Sequence, residues 1–173
     1  PLKDEVIESL SEFKWLRWSM NGGSEEVYIK TNNPKGKNPS AAYKNAKENI
    51  RRIISKKKTE KKKVLVNASY VVSEWNYHDV INAAKLGREL EIDNLFFRPD
   101  MKPMENRKDV PLNILTKNKS LLDQAIEFQK DNFKISIEQE RENDVLKVQD
   151  ENLVCFYSNH SIYIAANGDV YPC

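Results

Sequence analysis

Apolar positions recur along the chain at two intervals, and the switching between them predicts its elements. Val6, Ile7, Leu10 and Phe13 stand at helical spacing, and Lys14 to Met20 then reads as a short strand broken by Asn21-Gly22-Gly23. A second helix is expected after the cap-like start Asn38-Pro39-Ser40, with Tyr43, Ala46, Ile50 and Ile53 on one stripe and the polar run Ser55 to Lys63 ending it. Val64 to Val72, VLVNASYVV, is rich in β-branched residues and reads as a buried strand ending at Ser73-Glu74-Trp75-Asn76. Asp79 to Glu89 places Val80, Ala83, Ala84, Gly87 and Leu90 on one helical face, and the apolar strand Asn94-Leu95-Phe96-Phe97 follows. Leu121, Leu122, Ala125, Ile126 and Phe128 make another helical stripe, and Phe133, Ile135 and Ile137 alternate as a strand would.

Helix and strand thus alternate four times, which argues for an α/β fold with a parallel sheet and right-handed crossovers. Asp100 to Val110, with Pro99, Pro103 and Pro111 in and around it, is expected as an irregular loop over the mouth of a barrel. Glu138 to Glu151 carries six acids against two bases and reads as a link to a second module. From Val154 to Tyr171 the pattern changes to paired short strands, with Ile162 and Ile164 alternating before a turn at Asn167-Gly168. The domain division expected is residues 1–145 and 146–173.

Composition narrows the setting. The 173 residues, 39% hydrophobic and 31% charged, suffice for one domain of ordinary size with a real core. No apolar run approaches the roughly 18 residues of a membrane helix, and PLKDEVIES lacks the apolar centre of a secretory signal, so a cytoplasmic protein with no membrane partner is expected. Two cysteines do not make a dense disulfide framework; reduced thiols or metal ligands are the better readings. The chain opens on Pro1 and closes on Cys173, and it reads as a piece of a longer protein, inactive alone.

Net charge is +2 but unevenly placed, because Lys44, Lys47, Arg51, Arg52, Lys56, Lys57, Lys58, Lys61, Lys62 and Lys63 face only Glu48 and Glu60 within residues 44–63. Such a patch could draw nucleic acid or another acidic partner. Cations closing a helix complement its dipole, however, and no aromatics are interleaved to stack bases, so a nucleic-acid role is disfavoured.

In parallel α/β sheets ligands bind at the C-terminal ends of strands, which directs attention to Ser19-Met20-Asn21-Gly22-Gly23, Ser73-Glu74-Trp75-Asn76 and Phe97-Arg98-Pro99. At these points the chain resembles radical S-adenosylmethionine enzymes. LRWSMNGGSEEVYIK looks like the family's fourth barrel strand and following loop, in which an R-x-S-x-D/N-A/G-G pattern precedes a helix containing E-x-Y. SYVVSEWNYHDVINAAKLGRELEIDNLFFRP is similar to the fifth strand, its helix and the sixth strand. CFYSNHSIYIAANGDVYPC, with Cys155, Gly168 and Cys173, fits the Cys-x(9–15)-Gly-x(4)-Cys opening of the SPASM and twitch auxiliary domains.

The resemblance implies the C-terminal half of a partial (β/α)6 TIM-like barrel, followed by a β-hairpin that opens an auxiliary cluster domain. It implies an oxidoreductase or maturase that, at full length, cleaves S-adenosylmethionine at a 4Fe–4S cluster to methionine and a 5′-deoxyadenosyl radical. The ligands of that cluster lie outside this chain. Cys155 and Cys173 would ligate an auxiliary 4Fe–4S cluster, for which soft thiolates are suited. The partners implied are a peptide, protein or small-molecule substrate and an electron donor such as flavodoxin or ferredoxin.

Among the residues present, Ser19 matches the fourth-strand polar position that contacts the cofactor's ribose or carboxylate, with Asn21 close enough to assist. Asn76 falls where relatives often carry Asn, or caps the next helix; Arg98 contacts cofactor or substrate, or pairs with an acid such as Asp100. None of these is a catalytic group in its own right. His78 and His160 lack partners at metal spacing, and Trp15, Trp18 and Trp75 read as core or mouth-lining aromatics. Two competing readings are a non-catalytic α/β binding module using its Lys-rich segment and a structural thiol protein with a Cys155–Cys173 disulfide.

Overall fold

The computed structural model describes residues 1–35, 38–100, 113–140, 163–164 and 169–171. Four strands, β1 (Trp15–Ser19), β2 (Leu65–Val72), β3 (Asn94–Pro99) and β4 (Lys134–Ile137), form one sheet in chain order, every pair parallel. Helix α1 (Asp4–Ser11) precedes the sheet. The crossovers carry α2 (Glu25–Asn32) and α3 (Pro39–Thr59), then a 3-10 turn (Tyr77–Asp79) with α4 (Val80–Glu89), then α5 (Ile114–Lys117) with α6 (Lys119–Ile126). The expected α/β alternation is therefore present as a four-stranded parallel sheet. Beyond it, β5 (Tyr163–Ile164) and β6 (Val170–Tyr171) pair antiparallel, as the change of pattern near the C-terminus led one to expect. Residues 101–112, most of the 138–151 link, the Asn167-Gly168 turn, Cys155 and Cys173 lie outside the described residues.

Sequential strand order with right-handed crossovers places every connecting helix on the same side of the sheet. The burial pattern agrees: Val66, Ala68, Tyr70 and Val72 of β2 and Leu95 and Phe97 of β3 are sealed beneath helices, where Val80, Ala83, Ala84, Leu115, Leu122 and Ala125 meet them. Tyr70 and Phe97 pack edge to face at 5.5 Å within this layer. Strand registers put the alternate residues together on the opposite face: Arg17, Asn67, Asn94 and Lys134 in one row, Ser19, Ser69, Phe96 and Ser136 in the next, Val71 and Arg98 above them. No helix among the described residues covers that second face.

Several local expectations change. Helix α1 stops at Ser11, before Phe13, and buries Ile7 while Val6 stays exposed, so its apolar stripe is narrower than the spacing suggested. Helix α3 runs through Ser55 to Thr59 instead of ending there, since Lys56, Lys57 and Lys58 suit its C-terminal dipole and find acids around them. Phe128 lies past the end of α6, with the Lys85 ammonium 5.7 Å from its ring centroid. Trp15 is 54% exposed at the start of β1, on the helix-free face beside Leu65, and belongs neither to the core nor to the mouth.

Candidate functional site at the strand ends

The C-terminal ends of β1 and β2 are joined by side-chain amides. Asn76 is fully buried, and its four hydrogen-bonding positions are all used within the chain. Its Nδ2 donates to the carbonyls of Asn21 (3.1 Å) and Val71 (2.9 Å), while its Oδ1 accepts from the Ser73 N–H (2.8 Å) and hydroxyl (3.1 Å). The Asn76 carbonyl accepts from the Tyr70 hydroxyl at 2.7 Å. The expected helix-capping bond from the Asn76 side chain is absent, because the amide turns back to the strand ends.

The loop after β1 is hydrogen-bonded at Met20, Asn21, Gly23 and Ser24. Met20 donates its N–H to the Ser69 carbonyl (2.9 Å) and accepts at its own carbonyl from Asn32 Nδ2 (2.9 Å). Asn21 adopts φ 49°, in the left-handed region that Asn tolerates better than most residues. Its Oδ1 accepts from the Val71 N–H at 2.9 Å and its Nδ2 donates to Asn32 Oδ1 at 3.3 Å. A Cβ on Gly22 would stand 2.3 Å from the Tyr28 nitrogen, and one on Gly23 would stand 2.0 Å from the Ala83 nitrogen, so only glycine lets α2 and α4 approach this closely.

Asp79, 2% exposed, closes the network from the other side. Its Oδ2 accepts from the N–H groups of Gly23 (2.6 Å) and Ser24 (2.9 Å), and its Oδ1 accepts from Asn82 Nδ2 (2.7 Å). Ser24 then caps α2, its side chain accepting from the Val27 N–H at 3.4 Å. The Tyr43 hydroxyl donates to the Gly23 carbonyl at 2.6 Å; burial, with Asp79 nearby, pushes that phenol up to about 12. Tyr70 is raised as well, by burial first and Asp79 second.

Of the residues singled out from sequence, Ser19, Asn21 and Asn76 gather at one end of the sheet, and Arg98 leaves the same end of β3. Ser19 is exposed, in register with Ser69 and with Arg17 two residues below it on the helix-free face. Arg98 donates from Nε to Glu138 Oε2 at 3.0 Å, so the acid beside it is Glu138, at the end of β4, and not Asp100. Trp75 is 65% exposed above the end of β2, with the Lys30 ammonium 5.7 Å from its ring centroid. Trp18 instead packs toward α2, 6.3 Å from Tyr28 between ring centroids. Cys155 and Cys173 fall outside the described residues, and among those residues no cluster of three or more His, Cys, Asp or Glu could hold a metal ion. His78 packs edge-on to Tyr77 at 5.7 Å. Sequence reasoning missed Asp79, which reads as an ordinary helix start; its partners stand 55 and 56 residues away.

The basic run of α3 is largely neutralised by acids. Arg52 meets Asp4 at 2.5 Å, Arg51 meets Glu89 at 2.7 Å, and Lys57 reaches both oxygens of Asp93 at 2.6 and 2.7 Å. Lys56 pairs with Glu8 and Glu60, Lys58 with Glu91, and Lys62 with Glu12. No helix among the described residues is long and apolar enough to cross a membrane.

A one-sided parallel sheet with polar groups at the C-terminal strand ends defines an α/β protein. No family model matches the chain, and no curated protein does. Among solved structures, the crystal structure of SuiB from Streptococcus suis shares the fold, with a TM-score of 0.54 at 17% identity, over 100% of this chain and 41% of SuiB. The chain thus spans less than half the length of that neighbour.

Proposed function

We propose that this chain is the second half of a radical S-adenosylmethionine barrel and the opening of a SPASM-type auxiliary domain. The observation that carries the proposal is the parallel sheet covered by helices on one face, with Ser19 exposed at the C-terminal end of the other. Parallel sheets are as a rule buried on both faces, and the inner wall of a barrel is the simplest setting for one whose second face carries no helix. Three of the four side chains in one row, Ser19, Ser69 and Ser136, are small, Phe96 being the exception, and would leave width for a ligand where bulky aliphatic residues usually fill a barrel.

Ser19 and Asn21 would present a hydroxyl and an amide to the polar parts of S-adenosylmethionine. Asn76, with no hydrogen-bonding position left over, would support that contact by holding Asn21. Arg98, steadied by Glu138, would face the cofactor or the substrate from the neighbouring strand end. When bound, S-adenosylmethionine and its iron–sulfur cluster supply the radical chemistry, and this half of the protein binds and orients. Cys155 and Cys173 would ligate the auxiliary cluster. The basic-module alternative is weakened by the acids that meet α3.

The test is anaerobic reconstitution of the full-length protein. Iron–sulfur absorption and binding of S-adenosylmethionine are expected, with Cys155→Ala/Cys173→Ala removing only the auxiliary share of the iron. A natural reading frame without an upstream Cys-x-x-x-Cys-x-x-Cys loop would sink the proposal.

A further inference from the structure

Asp79 is a buried acidic side chain that faces donors and, among the described residues, no cation. Its three hydrogen-bond partners are the Gly23 and Ser24 N–H groups and the Asn82 amide. A buried carboxyl side chain is costly unless it is hydrogen-bonded, and here three donors meet it at a loop whose Met20, Gly22 and Gly23 are themselves buried. Asn21, two residues before Gly23, holds the left-handed conformation at φ 49°. Such conformations persist where surrounding bonds over-determine them, and they concentrate at functional sites. Here the surroundings are Asn76 on the Asn21 carbonyl, Asn32 on Met20, Tyr43 on Gly23, and Asp79 on the two N–H groups that follow.

We infer that Asp79 is a positioning residue: by gripping Gly23 and Ser24 it fixes the loop that sets Asn21 beside Ser19, the last residue of β1, at the mouth of the sheet. The assignment rests on the reading of that mouth as a cofactor site, but it adds a residue from a different crossover, acting without touching the ligand. The carboxylate also occupies the backbone N–H groups leading into α2. An anionic ligand therefore cannot take those donors, and recognition falls to the side chains of Ser19 and Asn21. Asp79→Asn is the conservative variant, because its oxygen can still accept from Gly23 and Ser24 while its amide donates to a rotated Asn82 side chain.

The experiment uses the full-length reconstituted protein with three substitutions: Asp79→Ala, Asp79→Asn and, as a control for lost stability, Leu122→Ala in the core beneath α6. Asp79→Ala is expected to weaken S-adenosylmethionine binding by about tenfold or more with iron content unchanged. Asp79→Asn should lose only about threefold, and Leu122→Ala should stay within about twofold of wild type even where its unfolding midpoint falls further. Equal affinity losses in Asp79→Ala and Leu122→Ala would reduce Asp79 to a packing role and overturn the inference. Amide exchange supplies a readout that needs no cofactor: in Asp79→Ala, Gly23 and Ser24 should exchange about tenfold faster while β2 and β3 keep their protection. Unchanged exchange at Gly23 and Ser24 would also overturn it. Should Asp79→Ala fail to fold, Asp79→Asn carries both readouts, with losses of about threefold expected from its weaker acceptor. Wild-type protein that binds no S-adenosylmethionine would refute the functional reading instead, and the exchange rates would still decide whether Asp79 sets the loop.

Discussion

The two ends of the parallel sheet are tied together by different chemistry. At the N-terminal end the ties are ion pairs between partly exposed side chains, such as Lys57 with Asp93 and Lys62 with Glu12. At the C-terminal end they are short, buried and directional: the Asn76 amide with no vacant position, a carboxylate gripping backbone N–H groups, and two glycines where no Cβ fits. Exposed ion pairs contribute little and tolerate exchange of partners. Buried polar networks cost desolvation and return a fixed geometry only when every member is satisfied. The molecule thus accepts adjustable contacts at one end and demands an exact arrangement at the other, which is the end where parallel α/β proteins keep their chemistry.

The comparison breaks most readily at Gly23. Gly23→Ala drives a methyl into the backbone of α4, 2.0 Å from the Ala83 nitrogen, and should cost about 3 kcal/mol or more in urea unfolding. Asn76→Ala leaves the Asn21 and Val71 carbonyls and the Ser73 donors without their partner, so a loss of about 2–4 kcal/mol is expected; a loss under about 1 kcal/mol would mean that water replaces the amide freely.

Alkaline pH probes the same end without a mutation to it. Tyr43 has its pKa raised from 10.0 to about 12, so the folded state favours the neutral phenol. That contribution is complete below the unfolded value and lost as pH climbs from about 10 to about 12. Tyr43→Phe should flatten part of that decline, Tyr70 supplying another part; stability that does not fall over this range would contradict the burial of both phenols.

The mildest effect is expected at the opposite end. Asp93→Asn removes the charge that Lys57 meets but can keep an acceptor for the Val66 N–H, so about 1 kcal/mol should be lost. Salt should shrink that difference and leave the Asn76→Ala penalty unchanged, a contrast that unfolding at low and high ionic strength would measure.

Much of this was legible from the chain, and the boundary has a physical basis. All four strands of the sheet announce themselves, because their covered faces need apolar residues at period two or in continuous runs. The ends of α1 and α3 are hidden in the pattern, since Phe13 looks like a continuation of the stripe and Ser55 to Lys63 looks too polar for helix. Local pattern does not register that α1 and the α4–β3 turn bring acids to those lysines. Asn21-Gly22-Gly23 was readable as a break, but its partners were not. Asp79 grips residues more than fifty positions earlier, and Glu138 reads as the first acid of a linker although it meets Arg98 across 40 residues. Single side chains that act over such distances leave no periodic trace.

Strand order also bears on how the sheet comes into being during synthesis. Each strand after the first pairs with the one made before it, so none has to thread between two others. Asn67 and Asn94 are the nearest in sequence of the paired positions, 27 residues apart, against 40 for Asn94 and Lys134 and 50 for Trp15 and Leu65. Loop-closure entropy favours the shortest span, though by only about 0.5 kcal/mol across this range. The unit of β2, α4 and β3 is therefore the natural first assembly, and it contains both Asn76 and Asp79. The jaws of the clamp are built before the loop they hold, and β1 docks into a seat already cut.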